Sequence, residues 1–266
     1  MQLNFKSFGT GEPLIILHGL FGSLDNWQTI ARRMAEQAVQ QYHRALAVYI
    51  LDLRNHGRSP HSDEFTYPVM ANDVREFAIL QGLTKISLLG HSMGGKVAMQ
   101  YAQMYPETLH KLIISDITPA AYNDRHADVF DAIAYALQQP VASRSEIAGR
   151  LRQKLSDEAT VQFLLKNAER TPEGFRWRFN AHALKENYAH ISGAIETVRT
   201  VNLPALFIKG ESSDYINREN YPALAAMFPH HELTEIKNSG HWVHADQPDA
   251  FIEETLKFLF NSNTAG

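Results

Sequence analysis

Residues 85–99 read KISLLGHSMGGKVAM. An apolar run ends at Leu89, the knot Gly90-His91-Ser92-Met93-Gly94 turns the chain, and Gly95-Lys96-Val97-Ala98-Met99 opens a helix. In so sharp a turn, side chains two before and two after Ser92 collide with flanking backbone, and both positions are glycine. The turn lifts the Ser92 hydroxyl above the end of its strand. The helix N-terminus beneath offers free backbone N–H groups and the positive end of its dipole. This is the pattern of a serine nucleophile on an α/β scaffold.

One rival reading uses the same residues. Gly90 to Lys96 also fits G-x-x-x-x-G-K, the start of a phosphate-binding loop between strand and helix. That loop needs Ser or Thr next, to hold magnesium. Val97 has no oxygen there, and the nucleotide reading loses its metal ligand.

Composition narrows the classes further. The chain has 266 residues, 44% hydrophobic and 20% charged, enough for one large α/β domain with an insertion and against disorder. A net charge of −4 with no basic block argues against nucleic acid as partner. With no cysteine, a disulfide scaffold, a thiol nucleophile and a thiolate metal site are excluded. No run approaches a membrane span and the first residues lack a signal-peptide core, so a cytoplasmic protein is expected.

Outward from Ser92 the chain alternates. Strands are predicted at 3–8, 13–17, 45–51 and 112–115, with helices at 24–38 and 67–80, which implies a mostly parallel sheet. The alternation lapses over 118–200. This stretch is helical in pattern apart from a strand-like piece at 175–179. Strands return at 204–208 and 232–236, with helices at 221–227 and 248–260. The polar tail 261–266 reads as frayed. The expected organisation is a core domain of residues 1–117 and 201–266, with 118–200 as a helical cap over the carboxyl edge of the sheet. Ligands bind at that edge in open α/β sheets.

A serine hydroxyl needs a base, and the base needs an acid to fix its ring and face its charged form. His241, in Asn238-Ser239-Gly240-His241-Trp242, follows a predicted strand and precedes the last helix, which puts it at the same edge as Ser92. His244 reads as a flanking residue. An oxyanion hole needs two backbone donors. The N–H of Met93 is one, and that of Leu20 in the loop His18-Gly19-Leu20-Phe21-Gly22 is the other. His18 and Asp52 read as turn residues, and His91 as a packed or locally bonded one. Trp242, beside the base, is a wall of the acyl pocket. Trp177 and Phe179 alternate with Arg176 and Arg178, so Trp177 can line the pocket while the arginines face solvent. Two aspartates follow strands at the right edge, Asp116 and Asp214. Either keeps the chain order nucleophile, acid, base.

HGLFGSLDNW, LRNHGRSPH, GHSMGGKVAM, Trp177-Arg178-Phe179-Asn180 and GHWVHADQPDA, in this order, resemble the α/β-hydrolase superfamily and within it the YbfF-like bacterial esterases. The resemblance spans nearly the whole chain. It implies an eight-stranded sheet, a helical cap, and hydrolysis of esters or thioesters such as acyl-CoA with no cofactor and no metal. It also implies the acid at Asp116, in Ser115-Asp116-Ile117-Thr118-Pro119, with Asp214 the alternative, one position later than the superfamily's commonest glycine-to-aspartate spacing. Within the superfamily, a C–C bond hydrolase of the meta-cleavage type shares these parts. A non-catalytic ligand-binding member is the reading from another class.

Overall fold

The structure is a computed structural model and describes residues 1–260; the tail 261–266 lies outside the described residues. The chain begins with β1 (Phe5–Phe8) and β2 (Glu12–Leu17), then α1 (Gln28–Tyr42), β3 (Leu46–Leu51) and α2 (Tyr67–Leu80). The elbow strand β4 (Ile86–His91) leads into α3 (Met93–Met104), and β5 (Leu109–Ser115) follows. An insertion carries α4 (Ala127–Ala136), α5 (Arg144–Arg152), α6 (Glu158–Leu165), β6 (Ala168–Thr171), β7 (Gly174–Trp177), α7 (Ala181–Glu186) and α8 (Tyr188–Ser192). The chain returns to the core through β8 (Ala205–Gly210), α9 (Tyr221–Met227), β9 (His231–Ile236), α10 (Val243–Asp246) and α11 (Pro248–Phe260).

The main sheet runs β1-β3-β2-β4-β5-β8-β9 and is parallel apart from β1, which pairs antiparallel with β3. Alternation along the central strands sends side chains to two cores. Ile15, Leu17, Leu88 and Leu112 pack with α2 and α3 on one face. Leu14, Ile16, Leu89 and Ile113 pack with α1 and α11 on the other. Both faces are covered, which is why these strands are almost unbroken apolar runs.

Two expectations are corrected. The sheet has seven strands among the described residues, not eight. The residues before β1 form no ladder. Asn4 instead bonds Ser59 and Asp52, and the Met1 amino group pairs with Asp73 and Glu76. The insertion also carries a second strand, β6, beside the expected strand-like piece. β6 and β7 form an antiparallel hairpin with Ala168 opposite Trp177 and Thr171 opposite Gly174. Gly174, at φ 132°, adopts the turn conformation that lets the hairpin close.

The insertion packs on loops at the carboxyl ends of the strands. Asn167 Nδ2 donates to the Phe21 carbonyl at 2.8 Å, and Asn180 N donates to the Asn55 carbonyl at 2.8 Å. Tyr67 Oη, on α2, donates to the Ile191 carbonyl at 2.6 Å. Lys96, buried in α3, donates to the carbonyls of Ala120 and Gly193, one near each end of the insertion.

Candidate active site

Ser92 sits at φ 53°, ψ −120°, a backbone conformation that costs an L-residue energy and is held here by its neighbours. A Cβ on Gly90 would come 2.2 Å from the Gly94 carbonyl oxygen, and one on Gly94 2.4 Å from the Leu17 oxygen. The turn therefore demands glycine at both positions. Met93 is the first residue of α3, so its N–H has no acceptor within the helix. The loop after β2 closes with Gly22 N donating to the Gly19 carbonyl at 3.0 Å. It passes so near the elbow that a Cβ on Gly19 would lie 3.2 Å from Ser92 Cβ. Leu20 is thereby carried to the rim of the cleft in which Ser92 lies.

Asp116 follows β5 directly, is fully buried, and has φ 53°. Its Oδ2 accepts from His241 Nδ1 at 2.8 Å. A carboxylate only accepts, so that ring nitrogen carries the proton and Nε2 is left as acceptor. Ser92 Oγ lies 3.0 Å from Nε2. Asp116 is itself held by two donors on the loop after β8. Gly210 N donates to Oδ1 at 3.1 Å, and Ser213 Oγ donates to Oδ2. Asp214, the alternative, turns to Arg125 at 2.6 Å and is largely exposed. The Arg125 guanidinium lowers its carboxyl below the usual range. The structure brings Asp116, and not Asp214, to hydrogen-bond distance of the His241 ring.

Two aromatic rings flank that imidazole. Tyr215 stacks on it with centroids 3.9 Å apart, and His91 lies at 4.8 Å. His91 Nε2 donates to the His241 carbonyl at 2.8 Å and so fixes the backbone of His241. Burial first, then the neighbouring His241, drives the His91 pKa well below its ordinary value, and it stays neutral. His244 is neutral for the same reasons, pushed down to about 3, and stacks on Trp27 at 3.9 Å. Burial likewise lowers His126, on the cleft wall, to about 4. His18 is a turn residue: its Nε2 accepts from Leu53 N at 3.0 Å. Asp52 caps loops, accepting from Leu24 N, Arg58 N and Asn4 Nδ2.

Trp242 lines the cleft at Ser92, packed against Phe163. Trp177 is not brought there. Its indole stacks on Phe179, and its N–H donates to the Ile133 carbonyl at 3.1 Å, inside the insertion. Arg176 is exposed and pairs with Glu169 across the hairpin. Arg178 departs from the solvated reading: it is mostly buried and bonds Asp25, tying the insertion to the loop after β2. Among the described residues, no group of three or more His, Asp or Glu is placed to hold a metal ion. Sequence reasoning missed Ser213 and Tyr215. In the sequence their loop offers only Asp214, whereas in the structure it holds the carboxylate of Asp116 from the neighbouring strand.

A family model for the alpha/beta hydrolase fold matches residues 12–248. The chain belongs to the α/β-hydrolases. Among members of that family, esterase YbfF of Escherichia coli K12 is 37% identical over 249 residues, covering 93% of each chain. The sn-1-specific diacylglycerol lipase ABHD11 of Danio rerio is 34% identical over 261 residues, 96% of this chain and 80% of that one. Among solved α/β-hydrolases, a marine microorganism esterase superposes with a TM-score of 0.88 at 40% identity, covering 97% of this chain and 99% of that one. No helix among the described residues is long and apolar enough to cross a membrane.

Proposed function

We propose that the chain, a carboxylic ester hydrolase, works through an acyl-enzyme on Ser92, on esters and on acyl thioesters such as acyl-CoA. The observation that carries this reading is the continuous relay Asp116–His241–Ser92, at 2.8 and 3.0 Å, opening on a cavity of about 520 Å³. Ser92 Oγ attacks the substrate carbonyl carbon as its proton passes to His241 Nε2. Asp116 keeps Nδ1 protonated and faces the imidazolium that forms. The N–H groups of Leu20 and Met93 receive the oxyanion. When the C–O or C–S bond breaks, the Nε2 proton goes to the leaving oxygen or sulfur. Water then attacks the acyl-enzyme by the same route, with His241 as base, and releases the acid. Residues 118–200 serve as a cap on a core of 1–117 and 201–266, and Trp242 forms part of the substrate wall.

The test is labelling with a fluorophosphonate, together with rates on p-nitrophenyl esters and acyl-CoA thioesters. The label is expected on Ser92 alone. Ser92→Ala should keep its circular dichroism and lose about 10⁶ in kcat. Labelling elsewhere, or substantial turnover by folded Ser92→Ala, rejects the nucleophile.

A further inference from the structure

Two cavities meet at Ser92. The wide cleft of about 520 Å³ is bordered by His241, Trp242 and Phe163. The second holds only about 40 Å³ and lies among Leu20, Met93, Ile117, Tyr122 and Ile191. Leu20, Ser92, Arg125, His126 and Tyr215 border both, whereas His241 and Trp242 border the wide cleft alone. We propose that the small cavity is the acyl subsite, that it limits the acyl group to about two to four carbons, and that the alcohol or thiol occupies the wide cleft. This assignment rests on Ser92 as nucleophile and His241 as base.

The proton inventory sets the direction. The leaving atom takes its proton from His241 Nε2 and must depart on the side of Ser92 that His241 borders. His241 borders the wide cleft and not the small cavity, so the leaving group is assigned to the wide cleft and the acyl chain to the small cavity. Volume sets the length. A water-sized group needs roughly 10–15 Å³ of such space, so about three groups fit beyond the carbonyl. Acetyl to butanoyl chains meet that limit.

The wall chemistry sets the class. Leu20, Met93, Ile117 and Ile191 are apolar and buried. Several polar groups at the cavity are engaged by protein partners, and His126 Nδ1 shares a hydrogen bond with Tyr188 Oη at 2.7 Å. Lys96 Nζ faces three carbonyls, those of Ala120, Ser192 and Gly193. Tyr67 donates to the Ile191 carbonyl and Tyr122 to the Tyr215 carbonyl at 2.7 Å. Arg125, at the rim, is held by Asp214. The buried apolar walls and these engaged polar groups suit a neutral aliphatic acyl group. The wall is also anchored: Ile117 packs so closely on α3 that a Cβ on Gly95 would fall 2.5 Å from its Cγ2. The reassignment moves Trp242 from the acyl wall to the leaving-group side.

The experiment measures kcat/KM on two series. In the first, p-nitrophenyl esters run from acetate to decanoate with the leaving group fixed. In the second, acetyl esters run from ethyl to octyl alcohols with the acyl group fixed. Expected is a fall of about tenfold or more from butanoate to octanoate, with the alcohol series flat within about threefold. Ile191→Ala and Ile117→Ala, which open the small cavity, should shift the acyl optimum toward hexanoate. An acyl profile that is flat or rises to octanoate in the parent enzyme, with acetate still hydrolysed and Ser92 still labelled, overturns the subsite alone. So does sensitivity confined to the alcohol series. Absence of turnover on every ester, with no label on Ser92, overturns the catalytic reading and the subsite with it.

Discussion

Asp116 spends both carboxylate oxygens: Oδ1 on Gly210 N, and Oδ2 on His241 and Ser213. Asparagine in its place keeps the shape but presents an amide to Nδ1 and favours the wrong tautomer, at a cost of about 10⁴ in kcat. Asp214→Asn breaks only a pair with Arg125 on an exposed carboxylate and should stay within about tenfold of the parent. Assayed side by side on one ester, the reverse ranking would move the acid to the loop after β8. Ser213→Ala removes one donor to a buried carboxylate. It should lower kcat by roughly tenfold with KM unchanged, since the hydroxyl touches the acid and not the substrate. At this scale the sequence was informative wherever geometry is intolerant. Ser92 is marked by glycines that nothing else can replace, and His241 by its place after a strand. Ser213 was illegible because its partner lies 97 residues away, and no local pattern records such a bond.

Helices whose apolar face meets the sheet could be read end to end: 67–80, 221–227 and 248–260 are each found as expected. The strand β6 escaped, because Ala-Glu-Arg-Thr has no apolar alternation and owes its extended form to pairing with β7. The contrast between two glycines tests how elements meet. Gly94, in α3, lies where a Cβ would strike the carbonyl oxygens of Leu17 and His18 at 2.4 and 2.5 Å, both rigid backbone. Gly94→Ala must push α3 off the end of β2 and part Ser92 from the loop carrying Leu20. Loss of soluble folded protein, or of activity with a lowered Tm, is expected. Gly149, in α5, has open space around its missing Cβ. Gly149→Ala should stabilise the insertion by up to about 1 kcal/mol and raise Tm by about 2–4 °C in calorimetry. A fall in Tm there would mean that α5 is not a plain exposed helix.

For the molecule as a whole, neutral buried histidines set the response to acid. His18, His56, His91 and His244 are all buried, and burial lowers the pKa of each. Above pH 6.5 both folded and unfolded chains keep them uncharged, and they exert no pull. Below about pH 6.5 the unfolded chain takes up protons that the folded one refuses, so stability is lost as pH falls. Each contributes a slope of up to about 1.4 kcal/mol per pH unit. The urea midpoint should therefore drop between pH 7 and 5 more steeply than one proton allows, and a flat midpoint would show that these rings titrate normally. The loop carrying Leu20 directly follows the central strand β2, as Ser92 follows β4 and Asp116 follows β5, whereas His241 arrives after the edge strand β9. Ser92 and His241 are separated by 149 residues. At roughly 5–20 residues per second, a ribosome needs about 7 to 30 s to travel between them. If Ser92 is the nucleophile and His241 its base, the nascent chain carries Ser92 through that interval before its proton acceptor has been made. On that reading hydrolysis would wait for the loop after β9, and the order of synthesis would act as a safety catch.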